Sequence, residues 1–197
     1  MVQITRRSLV AALAALPFLP GRAFALSTAA AQGLVDQAVA DINRAIAGGG
    51  SDGQIISQFQ NIFNRYADQA YIAAYALGPA ARTASAAERS AFSAAFSRYL
   101  TAKYGRRFRE YQGGTVNVRG AKPVKNWVEV RATADLPGQS PFNVTFYVSD
   151  RTGRPLFFNL DVEGVSMLLT EREEIGAMLD RYRGDIGQVT AALQAGG

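Results

Sequence analysis

Between Leu156 and Tyr182 the chain changes its apolar period without losing its apolar side, and no other stretch constrains the fold as tightly. From Leu156 to Val162, the residues Leu156, Phe158, Leu160 and Val162 alternate with Phe157, Asn159 and Asp161, which is the period of a half-buried strand. After Gly164 the pattern becomes Leu168, Arg172, Ile175, Leu179 and Tyr182, spaced by three or four. Leu169 and Met178 widen that stripe to the breadth of a core-facing helix. A strand with one greasy face therefore turns at Glu163-Gly164 and hands over to a helix.

The chain preceding that switch divides in two. Thr28 to Ala47 places Leu34, Val35, Ala38, Ile42, Ala45 and Ile46 on one side, an amphipathic helix stopped by Gly48-Gly49-Gly50. Gln54 to Leu77 carries a second stripe that ends at Gly78-Pro79, and it reads as two helices with a bend near Ala67-Asp68. Ser85-Ala86-Ala87-Glu88 is a capping box, in which the serine hydroxyl and the glutamate side chain each satisfy a free backbone N–H. It opens a helix running through Phe92, Phe96 and Leu100 toward Tyr104-Gly105. From Thr115 onward the pattern is strand-like. Trp127 to Leu136 and Phe142 to Val148 alternate apolar with polar residues, separated by the turn chemistry of Leu136-Pro137-Gly138-Gln139-Ser140. With Ser149-Asp150-Arg151-Thr152-Gly153 as the next turn, the strands should pair as an antiparallel meander with the one at Leu156. Helices first, sheet second and helices again at the end predict an α+β fold with helices over one face of a curved antiparallel sheet.

The first 25 residues stand apart. Arg6 and Arg7 precede an apolar run from Leu9 to Leu19, and Ala23-Phe24-Ala25 is a small-x-small cleavage site, so residues 1–25 read as an export signal cut after Ala25. Thr5-Arg6-Arg7-Ser8-Leu9 fits the twin-arginine pattern as well as a general secretory signal. Residues 26–197 then form one domain outside the cytoplasm. Of the chain's 21 Lys and Arg, three lie in the signal, leaving 18 against 16 acidic residues, so net charge gives no reason to expect nucleic acid.

The residue inventory excludes much chemistry. With no His and no Cys there is no Ser-His or Cys-His nucleophile and no imidazole or thiolate for a metal, and no cofactor is expected. Asp161 and Glu163 share one face of the strand and could act as an acid/base pair with Tyr147 as hydrogen-bond donor, as in a proton-shuttling isomerase; two carboxylates so spaced near a strand end are more often its solvated face. Arg98, Lys103, Arg106, Arg107 and Arg109, interleaved with aromatic residues, form a basic run that could dock a partner's acidic face or lipid phosphates, or simply cap a helix end.

Val162-Glu163-Gly164-Val165-Ser166-Met167-Leu168-Leu169, followed by Arg172 and Ile175, resembles the "VEG(I/V)SLV..YR..F" signature of the MlaC family, also called toluene-tolerance proteins. The likeness extends upstream through Phe63 to Asp68, Ile72 to Gly78, Arg82 to Phe96, Tyr104 and Tyr111-Gln112-Gly113, covering nearly the whole chain after the signal. Two departures stand out: Ala80-Ala81 where the family commonly has an aromatic pair, and Thr170-Glu171-Arg172 where it has "NYR". The resemblance implies a periplasmic, monomeric, non-enzymatic lipid carrier with a fold like nuclear transport factor 2, whose twisted sheet and helices enclose an apolar lipid cavity. It implies phospholipid, or in a divergent branch a hopanoid-type lipid, as ligand. It further implies an inner-membrane Mla-type ABC transporter complex and an outer-membrane lipoprotein complex as partners. The expected lining is Val128, Val130, Phe142, Val144, Phe146, Leu156, Phe158 and Leu160 of the sheet with Tyr71, Tyr75, Phe92, Phe96, Val165 and Leu168; the expected docking surface is the basic run from Arg98 to Arg109.

Overall fold

The computed structural model describes residues 26–196, so the export segment lies outside the described residues, as do the side chains of Phe108 and Arg109. Seven α-helices and five strands follow in the order α1 (Thr28–Gly48), α2 (Asp52–Tyr66), α3 (Gln69–Leu77), α4 (Ala80–Thr83), α5 (Ala86–Gly105), a 3-10 segment (Arg106–Tyr111), β1 (Thr115–Val124), β2 (Trp127–Asp135), β3 (Phe142–Ser149), β4 (Leu156–Val162), β5 (Val165–Ser166), α6 (Met167–Arg181) and α7 (Ile186–Gly196). The strands form one antiparallel sheet in chain order. This is the α+β meander that the sequence predicts. No helix among the described residues is long and apolar enough to cross a membrane.

Caps set the helix boundaries. Ser85 and Glu88 close both halves of the capping box at α5, and Ser51 with Gln54 does the same at α2, so the glycine-rich stretch before it ends in a fixed helix start. The predicted bend falls at Ala67-Asp68: the Asp68 N–H donates to the Phe157 carbonyl at 2.8 Å, and the Asp68 carboxylate accepts from the Tyr71 N–H at 3.1 Å to start α3. One chain reversal thus joins the helical layer to β4.

The switch from β4 to α6 has a short intermediate. Glu163 and Gly164 have φ of 50° and 81°, the left-handed pair of a two-residue hairpin, and the chain pairs back for two residues as β5 before Ser166 caps α6. Asn159 holds this corner, accepting from the Leu168 N–H at 3.0 Å and donating to Ser166 Oγ at 3.0 Å.

Strand β4 departs from simple alternation. A bulge between Tyr147 and Val148 of β3 and their partners sets Val148 opposite Phe157 and Tyr147 opposite Asn159. Phe157 therefore joins the inward row with Phe146, its ring centroid 6.0 Å away. The Phe158 ring packs against Tyr71, Trp127 and Tyr147. Period-two reasoning puts Phe158 inward and Phe157 outward; the extra residue brings Phe157 to the inward wall as well.

The inward face of the sheet splits along its length. Val128, Val130, Ala132 and Val148 are sealed, in one cluster with Ala31, Val35, Ala38 and Val39 of α1. Asn43 pins α1 to the edge strand, its side-chain amide exchanging two hydrogen bonds with the Val116 backbone at 2.9 and 2.8 Å. On the same face, Phe142, Val144, Leu160 and Val162 are only half-buried. Replacing Ser85 with Ala should lower stability by about 1 kcal/mol through loss of the α5 cap; a urea titration should show a lower midpoint with unchanged slope.

Candidate functional site: an apolar cavity between helices and sheet

The half-buried end of the sheet is half-buried because it faces a hollow. A cavity of about 340 Å³ lies between the sheet and the helices, within the range of small-molecule sites. The sheet contributes Val116, Ala134, Phe142, Val144, Phe146, Phe157, Leu160 and Val162. Helix α1 contributes Ala38, Ile42 and Ile46; α2 contributes Phe59, Ile62 and Phe63; Ile72, Leu100, Met167 and Leu168 come from α3, α5 and α6. Polar groups enter through Tyr104, Arg107, Tyr111, Asn159 and Glu171.

Of the residues expected to line a lipid site, the structure brings Phe142, Val144, Phe146, Phe158, Leu160 and Leu168 to this wall. The others lie elsewhere for identifiable reasons. Val128 and Val130 are covered by α1. Leu156 is buried at the start of β4, before the bulge. Phe92 and Phe96 stack at 5.3 Å in the solid part of the core, on the half of α5 that precedes its cavity residues Leu100 and Tyr104. Tyr71 and Tyr75 pack near each other on α3, held by arginines: the Arg151 guanidinium sits 3.7 Å from the Tyr71 ring centre, and Arg172 donates to the Tyr75 carbonyl at 2.8 Å. Val165 is 59% exposed in the hairpin, outside the wall. The helix residues of the wall carry the same stripe spacing as ordinary core, so periodicity alone could not single them out.

The basic run is likewise divided. Lys103 is engaged inward, donating to Glu171 Oε1 at 2.9 Å and to Glu174. Tyr104 donates to the same Glu171 oxygen and Tyr99 to Glu174, so α5 and α6 are tied at the cavity's end. Burial, followed by the hydrogen bond to Glu171, drives the Tyr104 hydroxyl far above its usual pKa. For Glu174, burial acts to raise the carboxyl, but the hydrogen bonds from Lys103 and Tyr99 outweigh it and hold the group below the usual glutamate range. Arg98 and Arg106 are exposed, and Arg107 stands in the cavity wall.

The strand carboxylates are occupied with structure. Tyr147 donates to Asp161 at 2.5 Å, and Asn159 to the other Asp161 oxygen at 3.1 Å. Glu163 lies in the hairpin turn, where it accepts from the Asn143 N–H. Neither lines the cavity. Among the described residues no cluster of three or more acidic groups could hold a metal ion.

An α+β domain whose helical layer stands off one end of its sheet around an apolar hollow is a container for a hydrophobic ligand. Residues 32–195 match the family model described as MlaC protein, and the chain belongs to that family, one of phospholipid-binding carriers and not of enzymes. Among solved structures it is similar to a phospholipid-binding protein from Ralstonia solanacearum in complex with a phospholipid, with a TM-score of 0.73 at 19% sequence identity, covering 84% of this chain and 95% of that one. At that identity the likeness is one of fold.

Replacing Lys103 with Met leaves Glu171, 3% exposed, without its cation. Stability should fall by about 3 kcal/mol, the usual cost of breaking a buried pair from one side. Because the Glu174 carboxyl is depressed in the folded state, its contribution is present above the unfolded glutamate pKa and lost as pH falls through the folded one. Thermal melts from pH 6 down to pH 3 should therefore show a smaller acid-induced drop in the Lys103→Met protein than in the wild type.

Proposed function

We propose that the protein is a periplasmic lipid carrier, holding phospholipid acyl chains in the cavity while it crosses between the outer and inner membranes. The observation that carries this reading is the hollow itself, walled by aliphatic and aromatic side chains from the sheet and from α1, α2, α3, α5 and α6. Exposing two acyl chains of about 14 methylenes each to water costs roughly 20 kcal/mol at about 0.8 kcal/mol per methylene. A carrier must replace that much apolar surface, which a cavity does and a few polar contacts do not. The position of the hollow between helices and a bulged antiparallel sheet supports the kinship with nuclear transport factor 2 that the sequence signature implies. The Arg6-Arg7 leader supports export.

Delivery requires docking to an outer-membrane lipoprotein complex and an inner-membrane ABC transporter of Mla type, through contacts weak enough to release. With Lys103 bound inward, exposed Arg98 and Arg106 are the cations of the basic run best suited to such a surface.

Protein purified without harsh detergent should yield stoichiometric lipid in an organic extract analysed by mass spectrometry, and lipid-loaded protein should melt above the delipidated form, since the walls of an empty cavity forgo packing contacts. Val144→Trp, which fills the hollow from β3, should remain folded and yield little lipid. Absence of lipid from the wild-type extract, together with identical melting before and after loading, would remove the carrier reading.

A further inference from the structure

The polar residues in the cavity wall differ in whether their hydrogen-bonding atoms are already used. The Tyr104 hydroxyl donates to Glu171, whose Oε1 also accepts from Lys103. Asn159 donates to Asp161 and Ser166 and accepts from the Leu168 N–H. Arg107 makes no such bond and no ion pair among the described residues. Among the described residues of the wall it alone is exposed, the others being buried or half-buried. Arg107 therefore marks where the hollow meets solvent.

The electrostatic surroundings give that position a direction. On the α6 side, Glu171 and Glu174 share the single cation of Lys103, leaving a net negative charge at the end of the wall. The field of Arg107 opposes this, favouring the charged forms of Tyr104 and Tyr111. A cation just past the end of α5 is also what the helix dipole favours. Arg106 meets that need equally well from outside the wall, so the dipole does not explain why Arg107 enters it.

An uncommitted guanidinium at the rim of an apolar hollow matches an amphiphile whose tails lie inside and whose anionic group stays at the water boundary. The planar fork of donors fits the oxygens of a phosphate. We propose that Arg107 holds the phosphate of the bound lipid's head group, so that the protein selects a phosphate-bearing lipid over a neutral lipid with the same tails. The inference rests on the carrier reading and adds to it a residue that reads the head group.

Delipidated protein incubated with vesicles of dioleoylphosphatidylglycerol and dioleoylglycerol, then reisolated and extracted, gives the ratio of the two lipids bound. The wild type should prefer the phosphate-bearing lipid. Arg107→Gln should lower the ratio about fivefold to tenfold, the size expected of a charged contact partly screened by solvent, with dioleoylglycerol uptake unchanged. Arg107→Glu should lower it further, and Lys122→Glu, the same charge change at an exposed position on β1 outside the wall, should keep the wild-type ratio. An unchanged ratio in Arg107→Glu would overturn the assignment, as would an equal fall in Lys122→Glu, which would make it a general effect of surface charge on meeting an anionic vesicle. Uptake of neither lipid by the wild type would overturn the carrier reading and this inference together, whereas uptake of both without an Arg107 effect would overturn this inference alone.

Discussion

Layers that enclose a hollow cannot rely on packing to hold them at the right separation, because atoms facing empty space have no partners across it. In this protein the separation is set at the rim by polar ties. Lys103 and Tyr104 join α5 to Glu171 of α6. Arg172 joins α6 to the last turn of α3, and the tie runs so close to Gly78 that a Cβ there would lie 2.6 Å from the guanidinium. Asp68, 4% exposed, joins the start of α3 to β4 through the Phe157 carbonyl, with Arg151 3.7 Å from its carboxylate. Asn43 joins α1 to β1. Each tie has directional geometry that a slipping hydrophobic contact lacks, so the helices keep their distance from the sheet.

The hydrophobic effect is concentrated where no space is wanted. At the sealed end Val128, Val130, Val35 and Ala31 are at most 1% exposed, and α5 and α7 complete the solid core with Phe92, Phe96, Val189 and Leu193. Side chains of this size bury about 1.5–3 kcal/mol each. That end stabilises the fold and leaves the other end free to forgo contacts. The stable half and the receptive half are therefore consecutive stretches of the same elements: Val130 and Ala134 on β2, Phe96 and Leu100 on α5.

This division explains what could and could not be read from the chain. Helix limits at Ser85, at Ala67-Asp68 and at Gly78 were legible because caps and breakers act locally. The meander was legible because turn chemistry separates alternating runs. The wall was legible only in part. Val130 and Val144 obey the same alternation and occupy the same face, yet one lies beneath α1 and the other faces the hollow, a difference made by a helix about a hundred residues earlier in the chain. Phe157 joined Phe158 in the wall because of a bulge that no period announces. Lys103 reads as one more surface cation until the fold brings Glu171 and Glu174 to it.

Glu171 joins these threads. The MlaC signature has a tyrosine where this chain has that glutamate, and a carboxylate at 3% exposure is costly without partners. Lys103 and Tyr104 satisfy one oxygen, while Oε2 is buried without a hydrogen-bond partner. The group therefore contributes less stability than an apolar residue of its size would. With Glu174 it makes the α6 side of the cavity's end negative, against Arg107, the one Lys or Arg among the described residues of the wall. An apolar hollow by itself would admit a lipid in either orientation. A hollow with one negative wall and one free guanidinium at its opening distinguishes the two ends of an amphiphile before any head-group contact is made.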